Sequence, residues 1–188
     1  MKRRGMVSVM LAGLMVFAAS LAMGGSAHAA GGPTDVVQPL NIGAAFTLIN
    51  RGTNKCAEVA GGSLLDNAPV VENDCLANNT DPNQNWLPVS VGGGFFNLRN
   101  VHSNLCLDFA RPVNTQTVKH HVCGGDLSER WQLVVSPNVP GFLTVVSANH
   151  SGGHTFCLDL RDGQATNGTT VQIYDCLGAV NNQLWRQG

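Results

Sequence analysis

Six cysteines fall at positions 56, 75, 106, 123, 157 and 176, and three tryptophans at 86, 131 and 185. The first cysteine of each pair recurs after 50 and then 51 residues, and a tryptophan closes each interval. A period of that length is the mark of an internally repeated architecture. The chain therefore reads as one unit written three times, over about 44–90, 91–137 and 138–188. A unit of this size cannot bury a core alone, so three must share one.

Each unit opens on a short apolar run: 46–50, 95–99 and 142–146. A second run follows at the cysteine, as in 56–59 and 106–109, and a third lies at 69–72 in the first unit. These runs are rich in Val, Leu, Thr and Phe, and Gly, Asn, Pro or Asp interrupt them every eight to twelve residues or so. No stretch sustains a helical stripe, and 22 Gly and eight Pro suit a turn-dense all-β fold. Three units of about four strands predict a closed barrel with threefold pseudosymmetry, which also removes exposed strand edges. Trp86, Trp131 and Trp185 occupy one relative position and are assigned to the shared core, where large aromatics dominate packing.

The first 29 residues read as a secretory signal peptide. Lys2, Arg3 and Arg4 precede an apolar stretch over 6–23, and Ala27-His28-Ala29 is a small-x-small cleavage site. Residues 30–43 are polar and bear Gly and Pro, as a leader or linker does. No later stretch is apolar enough to span a bilayer. Cleavage removes three of the 11 Lys and Arg and none of the 12 Asp and Glu, which leaves a net charge of −4. That is not the basic footprint of a nucleic-acid binder. The expected location is extracellular, where an even cysteine count reads as three disulfides. Six cysteines allow fifteen connectivities. The repeat selects Cys56–Cys75, Cys106–Cys123 and Cys157–Cys176, since equivalent units call for equivalent bridges.

The third unit holds the fullest pattern: CLDLRDG from Cys157, TVQIYDC up to Cys176, and NNQLW up to Trp185. It resembles the ricin-type (R-type) lectin repeat, shared with family-13-like carbohydrate-binding modules. That repeat is marked by Cys-Leu-Asp, a Gln-x-aromatic before the second cysteine, and a closing Gln-x-Trp. The resemblance covers about residues 44–188. It implies a β-trefoil with up to three sugar sites, one per repeat.

By this resemblance Asp159 is the carboxylate that accepts two neighbouring sugar hydroxyls, for which two ionised oxygens are suited. Tyr174 takes the place of the aromatic platform, whose flat ring matches the C–H face of a pyranose. Gln172 and Asn182 match polar positions that bond further hydroxyls, and Gln183 is expected to orient Asp159. The first unit departs from the pattern: Glu58 stands for Asp, Val71 for Gln and Asn73 for the aromatic. The second keeps Asp108, with His121 in the aromatic place, and stands as a weaker second site. There Lys119 and Ser128-Glu129 replace the other polar residues, and Lys119 and Glu129 are read as pairing with each other or with solvent.

The reading is a secreted, non-catalytic lectin that binds galactose-like or xylan-type glycans mainly through its third repeat, with galactosides, xylan or related polysaccharides as partners. The alternative is the cell-binding or targeting subunit of a multi-chain toxin or secreted complex, with degenerate sugar sites and a partner protein chain. No enzyme activity is expected: there is no GxSxG, the cysteines serve as bridges, and the glycosidase carboxylate pair has no catalytic module to hold it. No cofactor is expected, and no metal site either. His120-His121 and the pair His150 and His154 raise the metal question, but the second pair lies in a Gly-rich loop with no nearby carboxylate or Cys ligand and reads as solvated loop histidines.

Overall fold

Among the described residues, short β-branched and aromatic runs between turn-forming residues fold as twelve strands, four to a repeat. The structure is a computed structural model that describes residues 40–77 and 80–188. The signal peptide expected over 1–29, and residues 30–39 of the expected leader, lie outside the described residues.

Repeat one holds β1 (Phe46–Asn50), β2 (Cys56–Val59), β3 (Val70–Asn73) and β4 (Asn85–Gly92). Repeat two holds β5 (Phe95–Asn100), β6 (Cys106–Phe109), β7 (Gln116–His121) and β8 (Trp131–Val135). Repeat three holds β9 (Leu143–Ser147), β10 (Phe156–Leu160), β11 (Thr169–Asp175) and β12 (Trp185–Gln187). The first and last strands of the repeats close a six-stranded antiparallel ring, β1–β4–β5–β8–β9–β12 and back to β1. The middle strands form three hairpins, β2–β3, β6–β7 and β10–β11. Strand β11 also pairs with both β3 and β7. This is the expected all-β trefoil. Strand β4 runs two residues past the repeat boundary placed at 90, into a turn at Gly92–Gly93–Gly94 whose φ values of 85°, 62° and 81° suit glycine.

The three tryptophans are fully buried. Each indole N–H donates to the carbonyl of the residue after a first cysteine: Trp86 to Ala57 at 3.0 Å, Trp131 to Leu107 at 2.9 Å and Trp185 to Leu158 at 3.1 Å. One tryptophan per repeat thus ties barrel to hairpin and satisfies its only polar atom. The three expected disulfides are all formed.

A second threefold feature locks the repeats to one another. In each repeat the residue five before the core-facing Glu72, His120 or Ile173 has positive φ, and its N–H donates to the next repeat. Asn67 (φ 67°) donates to the His120 carbonyl at 2.9 Å, Thr115 (φ 65°) to Ile173 at 3.0 Å, and Gly168 (φ 86°) to Glu72 at 2.8 Å. Repeat one therefore leans on two, two on three and three on one.

Candidate functional site

Strand alternation gives each hairpin two faces. On β10 and β11, Leu158, Leu160, Val171 and Ile173 face the core, all fully buried. Cys157, Asp159, Gln172 and Tyr174 take the other face, with Asp159 opposite Gln172 and Cys157 opposite Tyr174. The Cys157–Cys176 bridge pins the open end of the hairpin. A single 3-10 turn, Asn181–Gln183, then carries Asn182 and Gln183 beneath it.

Four of the five expected residues meet around one carboxylate. Asp159 is 1 % exposed. Gln172 Nε2 donates to its Oδ1 at 2.8 Å and Asn182 Nδ2 to its Oδ2 at 2.9 Å. Beyond these bonds the two oxygens keep further acceptor capacity. Burial pushes the Asp159 carboxyl above its usual range; bonds from Gln172 and Gln183 pull it back, and nearby Asp162 adds to the rise. Gln183 stands close enough to favour the charged form, yet its main bonds go to backbone. It donates to the Asp175 carbonyl and accepts the Leu177 N–H, both at 2.8 Å. It thus fastens the chain after the second cysteine while sharing with Gln172 and Asn182 in holding Asp159. Tyr174 is half-buried, and its hydroxyl has no partner among the described residues.

One participant escaped the sequence reading. Arg161 Nε donates to Gln172 Oε1 at 2.9 Å, and its Nη2 donates to the Thr115 carbonyl of repeat two at 3.1 Å. The signal lay in the repeat: the residue two past the carboxylate is Arg161 here and Ala60 or Ala110 in the other units. Beside Arg161, the loop through Gln164, Thr166 and Thr170 walls a polar cavity of about 340 Å³.

The other two hairpins arrange the same positions differently. In repeat one the longer Glu58 side chain reaches Asn73, across the ladder at the Tyr174 position. Asn73 Nδ2 donates to Glu58 Oε1 at 2.5 Å and Gln84 Nε2 to Oε2 at 2.6 Å. Asn83, at the Asn182 position, turns instead to the Val59 carbonyl at 2.9 Å. In repeat two Asp108 is 5 % exposed; Lys119 Nζ lies 3.6 Å from its Oδ2, and its buried Oδ1 has no hydrogen-bond partner among the described residues. Lys119 and Glu129 do not pair. Lys119 also donates to Asn67, and Glu129 accepts the Gly124 and Gly125 N–H groups at 2.9 and 2.7 Å. A carboxylate cannot donate as Gln183 does, so it collects a second backbone donor instead.

The inter-repeat lock decides what remains free at the aromatic position. In repeat one Asn73 Oδ1 accepts the N–H of Gly168 from repeat three at 2.8 Å. In repeat two His121 Nδ1 bonds Asp66 of repeat one at 2.6 Å. In repeat three the incoming Asn114 bonds Asp175 instead, accepting its N–H at 2.8 Å and donating to its Oδ2 at 3.0 Å. Tyr174 is left unclaimed.

The two histidine pairs differ in setting. His120 and His121 end β7 on opposite faces; His120 is fully buried, bonded to Ser103 at 2.9 Å and to the Leu65 carbonyl at 2.7 Å. His154 pairs with Asp175 at 2.8 Å. Among the described residues no group of three or more His, Cys, Asp or Glu is placed to hold a metal ion. No helix among them is long and apolar enough to cross a membrane.

Comparison with known proteins agrees with this fold. The model of the family described as ricin-type beta-trefoil lectin domain-like matches residues 36–112 and 83–174. Among curated protein sequences none matches significantly. The fold is similar to that of a designed threefold-symmetric protein, ThreeFoil (27 % identity, 76 % of this chain and 96 % of that one, TM-score 0.68). It is similar to an exo-β-1,3-galactanase from Clostridium thermocellum (21 %, 80 % of this chain but 31 % of that one, 0.69). The Rhizoctonia solani agglutinin is alike over nearly its whole length (22 %, 80 % and 98 %, 0.67). The chain belongs to the ricin-type β-trefoil lectin domain-like family, a family of carbohydrate-binding proteins.

Proposed function

We propose that this protein is a secreted, non-catalytic lectin whose third repeat binds a galactose-like or xylan-type glycan. The observation that carries this reading is a coincidence found in one repeat alone. A carboxylate with both oxygens oriented by side-chain amides stands on the same hairpin face as an aromatic ring that no neighbouring loop occupies.

Tyr174 supplies the platform for the apolar face of the sugar. Asn182, half-buried at the rim, swings from Asp159 to a hydroxyl and uncovers the carboxylate below. Asp159 then accepts neighbouring hydroxyls with both oxygens, and Gln172 holds it in place. The polar cavity beside Arg161 has room for a further sugar unit, since it falls within the ~300–1,000 Å³ range of ligand pockets. In repeats one and two the aromatic position is tied into the inter-repeat lock, so neither contributes a platform.

A glycan array probed with residues 30–188 and with Tyr174→Ala tests the reading. Binding to galactosides or xylans by the parent, lost at least tenfold in the variant, is expected. Absence of binding by both would instead favour the targeting-subunit alternative, in which this chain docks on a partner protein.

A further inference from the structure

We propose that Arg161 is a positioning residue of the third-repeat sugar site: it fixes which way the Gln172 amide faces and so holds Asp159 ready to accept sugar hydroxyls. The inference rests on the sugar-site reading above.

A glutamine amide has an acceptor end and a donor end, and only its neighbours decide which end points where. Gln172 lies between a guanidinium, which can only donate, and a carboxylate, which can only accept. Its Oε1 faces Arg161 Nε at 2.9 Å and its Nε2 faces Asp159 Oδ1 at 2.8 Å. A flip would set oxygen against carboxylate and N–H against guanidinium, two repulsive contacts at once. Without Arg161 the amide end facing Asp159 loses half of its instruction.

Arg161 is itself held from another repeat. Its Nη2 donates to the Thr115 carbonyl at 3.1 Å. Thr115 sits at φ 65°, a costly conformation for a β-branched residue, kept by its own N–H bond to Ile173 at 3.0 Å. The relay therefore runs from the repeat-two loop through Arg161 and Gln172 to Asp159. Neither other repeat can build it: Ala60 and Val71 stand beside Glu58, and Ala110 and Lys119 beside Asp108. The relay, the oriented Asp and the unclaimed aromatic occur together.

A residue that merely tacked the hairpin to the repeat-two loop would matter for stability alone. The carboxyl-carbon NMR titration of Asp159 separates the two roles, read in the parent, Arg161→Ala and Arg161→Lys beside affinity for lactose and xylotriose. The charged group bearing directly on Asp159 is Asp162 on the following turn, which disfavours its charge; Arg161 acts on it through Gln172. In Arg161→Ala the Asp159 midpoint is expected to rise by about one pH unit and the affinity to fall roughly tenfold, the scale of losing one hydrogen bond to a charged group. Arg161→Lys, which keeps a cationic donor, recovers at least half of each effect. An unchanged midpoint in Arg161→Ala, with or without a drop in melting temperature, overturns the relay. A Lys variant no better than Ala overturns it too. If the parent binds neither sugar, the sugar-site reading fails while the titration still decides the relay.

Discussion

Asp159 and Glu72 show how the same side-chain chemistry serves different ends on the two faces of a hairpin. Asp159 lies on the outer face, where amide donors compensate its burial. Asp159→Ala is expected to abolish retention on a glycan matrix while leaving the melting temperature within a few degrees, since no core residue changes. Retention that survives would remove Asp159 from the site. Glu72 lies on the core face, at the position that is His120 in repeat two and Ile173 in repeat three, and all three are fully buried. Thr53 donates to Glu72 Oε1 at 2.5 Å, but Oε2 has no partner among the described residues. Burial pushes the Glu72 carboxyl from 4.5 to about 7, against smaller opposing effects of Thr53 and Lys55. The folded state then holds a proton that the unfolded state has lost, so stability falls as pH rises from about 4.5 to 7 and levels off above. The shift corresponds to about 3 kcal/mol. His120 acts in the opposite sense: burial lowers its value below 6.5, so its contribution is lost as pH falls below that point. Urea unfolding of Glu72→Gln between pH 4.5 and 8 is expected to lose the decline attributed to Glu72. A variant whose stability falls as steeply as the parent's would contradict the buried-carboxyl account.

At the scale of elements, the strands and the bridges were legible because they repeat. A cysteine, an apolar run and a tryptophan recurring about every 50 residues specify hairpin, disulfide and barrel strand in every copy. Asp159, Gln172 and Asn182 were legible for a related reason, since their types and spacings occur together in the third copy. The interlock was not legible. Its partners, such as Asp66 with His121 or Asn73 with Gly168, differ in type from repeat to repeat and come together only when the fold closes. The backbone geometry is conserved around the pseudo-threefold while the side chains that exploit it vary. The same reason hid Arg161, whose partners are a backbone carbonyl in another repeat and a glutamine already assigned elsewhere. The burial of His120 was not legible because the alternation of β7, which sends it inward, is short and mostly polar. Asn114→Ala, which removes the bond to the Asp175 N–H, is expected to cost about 1 kcal/mol in urea unfolding. No loss would show that the repeat-two loop does not hold the third hairpin.

Over the whole molecule, three disulfides staple three hairpins onto one barrel, and each closes a loop of 17 to 19 residues. Replacing both Cys157 and Cys176 by Ala is expected to cost about 3 kcal/mol on the chain-entropy model and to loosen the hairpin that carries Asp159. Stability and glycan affinity should therefore fall together for this pair, and stability alone for the Cys56–Cys75 pair. On the proposed reading, one open site of three also sets the expected strength. A shallow single-sugar site with a Kd of roughly 1 mM corresponds to only about −4 kcal/mol, so tight retention needs a multivalent glycan surface. The asymmetry among the repeats is the central claim, and backbone amide NMR of the protein titrated with lactose or xylotriose tests it most directly. Shifts confined to residues around Asp159, Gln172, Tyr174 and Asn182 are predicted, with none around Glu58 and Asn73 or around Asp108 and His121. Saturable shifts centred on either of the latter pairs, with the third repeat silent, would contradict it.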